Sequence, residues 1–70
     1  MGLVDLFRRS IINLFNSRID YLIDRVTFKT DLLLFEDNPF IKSDIEDQIF
    51  LIRKAIRNLE ERLDEFNKSV

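Results

Sequence analysis

The residues best placed for acid-base or metal chemistry are two carboxylate pairs. Asp20 and Asp24 are four residues apart, as are Glu60 and Asp64. Carboxylates at this spacing share a helix face and could bind a hard cation or exchange protons. Both pairs lie outside the apolar faces of their predicted helices, where solvated acidic residues are common. We therefore expect no catalytic site, no metal site and no enzymatic activity.

Histidine and cysteine are both absent from the 70 residues. Disulfides, thiolate nucleophiles and the usual zinc or iron sites are thereby excluded. The chain has a single glycine, so it also lacks the glycine-rich loop that cradles a phosphate. The sequence predicts no bound cofactor.

Basic side chains in the second half of the chain could instead bind phosphates. Arg53, Lys54 and Arg57 fall on one face of a predicted helix. Acidic residues such as Glu60 and Glu61 fall in the same sector, so the arginines are expected to form ion pairs one turn apart. A net charge of -2 gives no general attraction for a polyanion. Nucleic-acid binding by these three basic residues is an alternative prediction.

The elements that position these side chains are two helical arms. Residues 36–39, Glu-Asp-Asn-Pro, separate the arms because proline and its restricted predecessor interrupt a helix. In the second arm, apolar residues recur at spacings of four and three, which is the a/d seam of a coiled coil. The seam consists of Ile45, Ile49, Ile52, Ile56, Leu59, Leu63 and Phe66. Ser43 and Glu46 form a capping-box pattern that predicts a helix over about 43–67, although Asn38 could instead cap an earlier turn.

The first arm is predicted to be a helix over about 3–34, with an apolar arc wider than contact with one helix requires. Its predicted core residues are Phe7, Ile11, Phe15, Ile19, Leu22 and Val26. A wide arc favours packing against more than one helix, as in a four-helix bundle built from two hairpins. The predicted fold is all-α, one domain over residues 1–70, with a loop at about 35–43 and a helical hairpin that dimerises.

Residues 26–34 allow a second prediction. Apolar and polar residues alternate there, which is strand periodicity, and β-favouring valine, threonine and phenylalanine are present. Helical spacing through Leu22, Val26 and Leu33 fits nearly as well. The alternatives to a continuous helix are a break near Thr30 or an α+β fold in which a short strand pairs two chains.

Arg18 and Arg25 fall inside or beside the apolar arc of the first arm and flank Tyr21. A charged side chain in such a place pairs with an opposite charge or extends its head group to solvent. We expect these two arginines to meet acidic residues of the second helix or of a partner chain. Such pairs would set the register of the bundle.

The small size of the chain also favours association. A domain of 70 residues and 8.4 kDa has little interior, and such chains usually need a disulfide, a metal or a partner. With cysteine and histidine absent, a partner is the remaining option. The predicted function is a small non-enzymatic homo-oligomeric interaction protein: an accessory subunit, an adaptor or a chaperone-like factor. Its expected partners are a second copy of itself, as a homodimer, and beyond that a larger protein complex.

Membrane-surface binding is a further alternative. Residues 3–15 carry Phe7, Phe15 and aliphatic residues on one side, with Arg8 and Arg9 near the border. Acidic and amide side chains on the polar face favour protein packing instead. No apolar run approaches the ~20 residues of a membrane span, and no secretory-signal pattern is present. The expected location is therefore the cytoplasm.

Overall fold

The computed structural model describes residues 2–68, which form a hairpin of two long helices. Helix α1 spans Leu3–Phe35 and helix α2 spans Pro39–Lys68. The helices pack against each other, and because only residues 36–38 join them, they run antiparallel. Residues 2–68 contain no strand, so the predicted all-α hairpin is confirmed.

Residues 26–34 continue α1 without interruption, so the strand alternative and the break near Thr30 are wrong. The hydroxyl of Thr27 donates a hydrogen bond to the carbonyl of Ile23 at 3.0 Å, and that of Thr30 donates to the carbonyl of Val26 at 2.7 Å. Both threonines thus satisfy their hydroxyls within the helix. Packing of every third or fourth residue against α2 outweighs the local β propensity.

Asn38 caps α2, which begins at Pro39. The side-chain oxygen of Asn38 accepts a hydrogen bond from the backbone N–H of Phe40 at 2.9 Å. The backbone carbonyl of Asn38 accepts one from the backbone N–H of Lys42, also at 2.9 Å. Proline is favoured at the first helical position, where its missing N–H needs no partner. The asparagine alternative for the start of α2 is therefore the one that the structure adopts.

The loop predicted at about 35–43 is wrong, since the connection consists of residues 36–38 alone. The capping-box pair Ser43 and Glu46 lies inside α2. The helix instead begins earlier, at Pro39, because Asn38 directly before the proline caps it. Within the connection, the Glu36 carboxylate accepts a hydrogen bond from the backbone N–H of Asn38 at 3.1 Å.

The interior between the helices is thin. Among residues 2–68 only Ile19, Leu22 and Ile49 are buried, each 8% exposed. Half-buried residues extend this line in both directions at heptad spacing. The residues of α1 that face α2, together with Glu36, which caps the carboxyl end of the helix, are called the packed face. They are Arg8, Ile12, Phe15, Ile19, Leu22, Val26, Lys29, Leu33 and Glu36. The matching residues of α2 are Ile45, Gln48, Ile49, Ile52, Ala55, Ile56, Leu59, Leu63 and Phe66.

One polar link crosses this interior. The Lys29 ammonium donates a hydrogen bond to the Gln48 side-chain oxygen, in a part-buried position. The Gln48 amide in turn donates to the Asp44 carboxylate at 3.2 Å. A polar pair within an apolar seam has few alternative partners, so it restricts how the helices can slide along each other.

Candidate interaction surface

A second apolar face runs along α1, about 100° around the helix axis from the packed face. We call it the open face, and it consists of Val4, Phe7, Ile11, Leu14, Arg18, Tyr21, Arg25, Phe28, Leu32 and Phe35. From Phe7 onward, each residue of the open face comes one position before a residue of the packed face. The two faces therefore have the same alternating spacing of four and three residues. Eight of these ten residues are aliphatic or aromatic, and Ile11 alone is half-buried. The rest are exposed.

The large side chains of the open face are mostly in solvent. Apart from Ile11, the exposed fraction of its aliphatic and aromatic side chains ranges from 42% at Leu32 to 83% at Phe35. Helix α2 covers only the packed face, and α2 itself concentrates its apolar residues on the side that it turns toward α1. In residues 2–68 the extended uncovered apolar surface therefore belongs to α1.

The open face contains a cluster of two arginines and a tyrosine near its centre. The Arg18 guanidinium lies 5.3 Å from the centroid of the Tyr21 ring, and the Arg25 guanidinium lies 5.9 Å from it. Arg25 also donates a hydrogen bond to the Tyr21 hydroxyl at 3.3 Å. These are cation–π contacts, worth roughly 0.5–1 kcal/mol each at exposed sites.

The expected pairing of Arg18 and Arg25 with acidic residues of α2 is wrong. The one ion pair within residues 2–68 joins Asp64 to Lys68, at 3.0 Å. Both arginines lie on the open face, whereas α2 packs against a face about 100° around the axis of α1, so the arginine side chains point away from α2. Pairing with a partner chain stays a prediction.

The predicted core residues of α1 divide between its two faces. Phe15, Ile19, Leu22 and Val26 lie on the packed face, whereas Phe7 is 69% exposed on the open face. Ile11, half-buried, lies on the open face at the edge nearer α2. All seven predicted seam residues of α2 are buried or half-buried against α1. The wide arc of the sequence is thus two narrower faces, of which α2 covers one.

At its amino-terminal end α1 also exposes an apolar cluster. Leu3, Val4, Leu6 and Phe7 line one shallow depression, and each is at least 65% exposed. The Arg8 Nε beside them is buried and has no hydrogen-bond partner among residues 2–68. Neither helix, over the described residues, contains a stretch apolar enough to cross a bilayer.

The three basic residues singled out in the sequence lie together on α2. Arg53, Lys54 and Arg57 line one shallow depression with Phe50, and we call these four residues the basic patch. The expected ion pairs between its arginines and nearby acidic residues do not form in the described part of the chain. Phe50 was not predicted to join these cations, although its position one turn before Arg53 and Lys54 was a usable signal.

The two carboxylate pairs remain on solvated surfaces. Asp20, Asp24, Glu60 and Asp64 are all exposed, and the Asp64 carboxylate is engaged by Lys68. Within residues 2–68 no three acidic side chains converge as metal ligands would.

No family model, curated protein or solved structure matches this chain. Its function is therefore inferred from its own geometry. Within residues 2–68 that geometry offers the open face as an extended apolar surface, with the amino-terminal cluster and the basic patch as smaller features.

Proposed function

We propose that this chain is a non-enzymatic interaction protein that acts as a homo-oligomer, with the open face of α1 as its association surface. The observation that supports this is the exposure of that face from Val4 to Phe35, nearly the whole length of α1, which has 33 residues. Large contiguous apolar surfaces are uncommon on monomeric proteins and mark sites of interaction. The role would be that of an accessory subunit, an adaptor or a chaperone-like factor.

The total surface of the chain supports the same proposal. Its accessible surface is 5870 Å², whereas a compact protein of 8.4 kDa exposes ~4,600 Å². The radius of gyration of 16.4 Å likewise exceeds the ~11 Å of a compact globule of this length. The excess surface of ~1,300 Å² is larger than the ~800 Å² that each partner buries in a standard interface. One standard association surface would therefore cover more than half of the excess.

The mass of the purified chain in solution tests this proposal. Light scattering over a wide range of concentrations should give a multiple of 8.4 kDa, with twice that mass as the smallest associated species. The midpoint of thermal unfolding should rise with concentration, because association draws the equilibrium toward the folded state. A species of 8.4 kDa with an unfolding midpoint independent of dilution would contradict the proposal.

Nucleic-acid binding is a second candidate function, supported by the basic patch. Arg53, Lys54 and Arg57 carry no ion pair within residues 2–68, and the neighbouring Phe50 ring is 66% exposed. Cations beside an exposed aromatic ring are the combination that binds single strands, through phosphate contacts and base stacking. The net charge of -2 would keep the affinity low.

Salt dependence of binding to a single-stranded RNA of mixed sequence tests the second candidate. Three phosphate contacts give a slope of roughly -2 in a plot of log affinity against log salt. Replacing Arg53 and Arg57 together by glutamine should reduce that slope by more than half, whereas Arg62→Gln, outside the basic patch, should change it little. Affinity that does not respond to salt or to the double substitution would eliminate this candidate.

A further inference from the structure

We propose that the second copy binds along the open face antiparallel to the first, in the register that places Arg18 of each copy over the partner's Tyr21. This inference rests on the proposed self-association and specifies its geometry. It follows from the order of residues along the open face, from the charges at its centre and from the area that it exposes.

The open face is symmetric about its own midpoint, which lies between residues 19 and 20. When one helix is reversed and the two faces overlap fully, each residue meets the one equally distant from the other end. The opposed residues are Val4 with Phe35, Phe7 with Leu32, Ile11 with Phe28, Leu14 with Arg25, and Arg18 with Tyr21. Every residue of the face is then paired, and no end is left uncovered.

The sizes of the opposed side chains match in this register. Three pairs join an aromatic ring to an aliphatic residue, such as Phe28 to Ile11. The remaining pairs join the long stem of Arg25 to Leu14 and the guanidinium of Arg18 to the Tyr21 ring. No pair opposes two rings or two arginines. The volume between the helices is therefore nearly even along their length, which close packing requires.

A parallel arrangement would oppose each residue to its own copy. Arg18 would face the partner's Arg18, and Arg25 would face the partner's Arg25, with like charges held together in an apolar interface. At each of the four aromatic positions, the ring would face the same ring of the partner. Val4 would face the partner's Val4, and these two small side chains would leave a gap. The charges and the packing both disfavour this arrangement.

The antiparallel register also provides the arginines with partners that a single chain lacks. Each Arg18 would lie between its own Tyr21 ring, now 5.3 Å away, and the ring of the partner. Asp24 is exposed on the flank of the open face, and in this register it lies beside the partner's Ser17 and Arg18. Arg18 would thus form, between the two copies, the ion pair that it lacks within residues 2–68.

The area of the open face is sufficient for a stable dimer. The stretch from Val4 to Phe35 is ~47 Å long at 1.5 Å per residue. Its four aromatic side chains are 49% to 83% exposed and would alone bury roughly 500 Å² in each copy. Two copies thus approach the ~1,200 Å² of the smallest stable interfaces before the aliphatic residues contribute. The angle of about 100° between the two faces of α1 also suits a helix in a four-helix bundle.

Spin-label distances in the associated protein test the orientation and the register. The chain has no cysteine, so Ser10→Cys and Ser17→Cys each introduce a single attachment site. Both serines are exposed on the same flank of the open face, seven residues apart, so each is a control for the other. The proposed register predicts a distance between labels of about 30 Å for Ser10→Cys and about half of that for Ser17→Cys.

The possible outcomes separate this inference from the function on which it rests. Short and equal distances at the two positions would show a parallel pair and overturn the inference, with self-association intact. A Ser10→Cys distance that differs by about 10 Å from the expected value would indicate a shift of one heptad in the register, which also overturns the inference. A mass of 8.4 kDa with no interaction between labels would instead contradict the proposed function itself.

Discussion

Replacing Phe28 by aspartate is expected to dissociate the oligomer, whereas the same replacement at Phe50 is not. The two side chains are equally exposed in the hairpin, at 63% and 66%, and both lie within helices. Phe28 belongs to the open face, and Phe50 belongs to the basic patch on α2. A carboxylate in the proposed interface would be desolvated without a partner, so Phe28→Asp should raise the Kd of self-association at least ~100-fold, or about 2.7 kcal/mol.

Light scattering and circular dichroism, recorded at the same concentrations, separate dissociation from unfolding. The Phe28→Asp chain should shift toward 8.4 kDa, and its helix content should fall on dilution, as expected if association supports the hairpin. The conservative variant Phe28→Leu should remain associated because it keeps an apolar side chain on the open face. If Phe28→Asp and Phe50→Asp had equal effects on the mass, the open face would not be the association surface.

Replacing Leu22 by alanine is expected to lower the free energy of unfolding by ~2–5 kcal/mol, the usual cost of emptying a buried leucine site. Leu22 is 8% exposed and is one of the three buried residues among residues 2–68. With so small an interior, neighbouring side chains cannot collapse into the space without losing their own contacts with α2. This loss is a large fraction of the stability of a domain of this size, which at ~0.05–0.15 kcal/mol per residue is roughly 3.5–10 kcal/mol.

Denaturant unfolding at one fixed protein concentration measures this loss, and Leu34→Ala is the matched control. Leu34 lies in the same helix, but it is 78% exposed and belongs to neither the packed face nor the open face. Its replacement should change the free energy of unfolding by no more than ~0.5 kcal/mol. Equal losses at the two leucines would mean that the packed face does not form the interior of the hairpin.

Much of the fold is determined locally by the sequence. The apolar spacing from Ile45 to Phe66 specifies a helix and its inward face without reference to any other part of the chain. The proline at residue 39 similarly requires an interruption between two arms. Both features depend on periodicity and backbone sterics, which short segments carry by themselves.

Two other features were left open by the sequence. The threonines of residues 26–34 are compatible with a strand, and the packing of Val26, Lys29 and Leu33 against α2 favours helix for this segment. Two capping patterns lie within a few residues of each other, and the hydrogen bonds of Asn38 decide between them. Local propensity is a weak preference, which tertiary contacts override when the energies are close.

The division of α1 into a packed face and an open face was decided by the tertiary structure alone. Phe7 and Phe15 belong to the same apolar arc in the sequence, yet Phe15 is half-buried and Phe7 is 69% exposed. The sequence of a helix determines the pattern on its own surface. Which part of that pattern is covered depends on the angle at which a neighbour docks, and contacts such as Lys29 to Gln48, nineteen residues apart, set that angle.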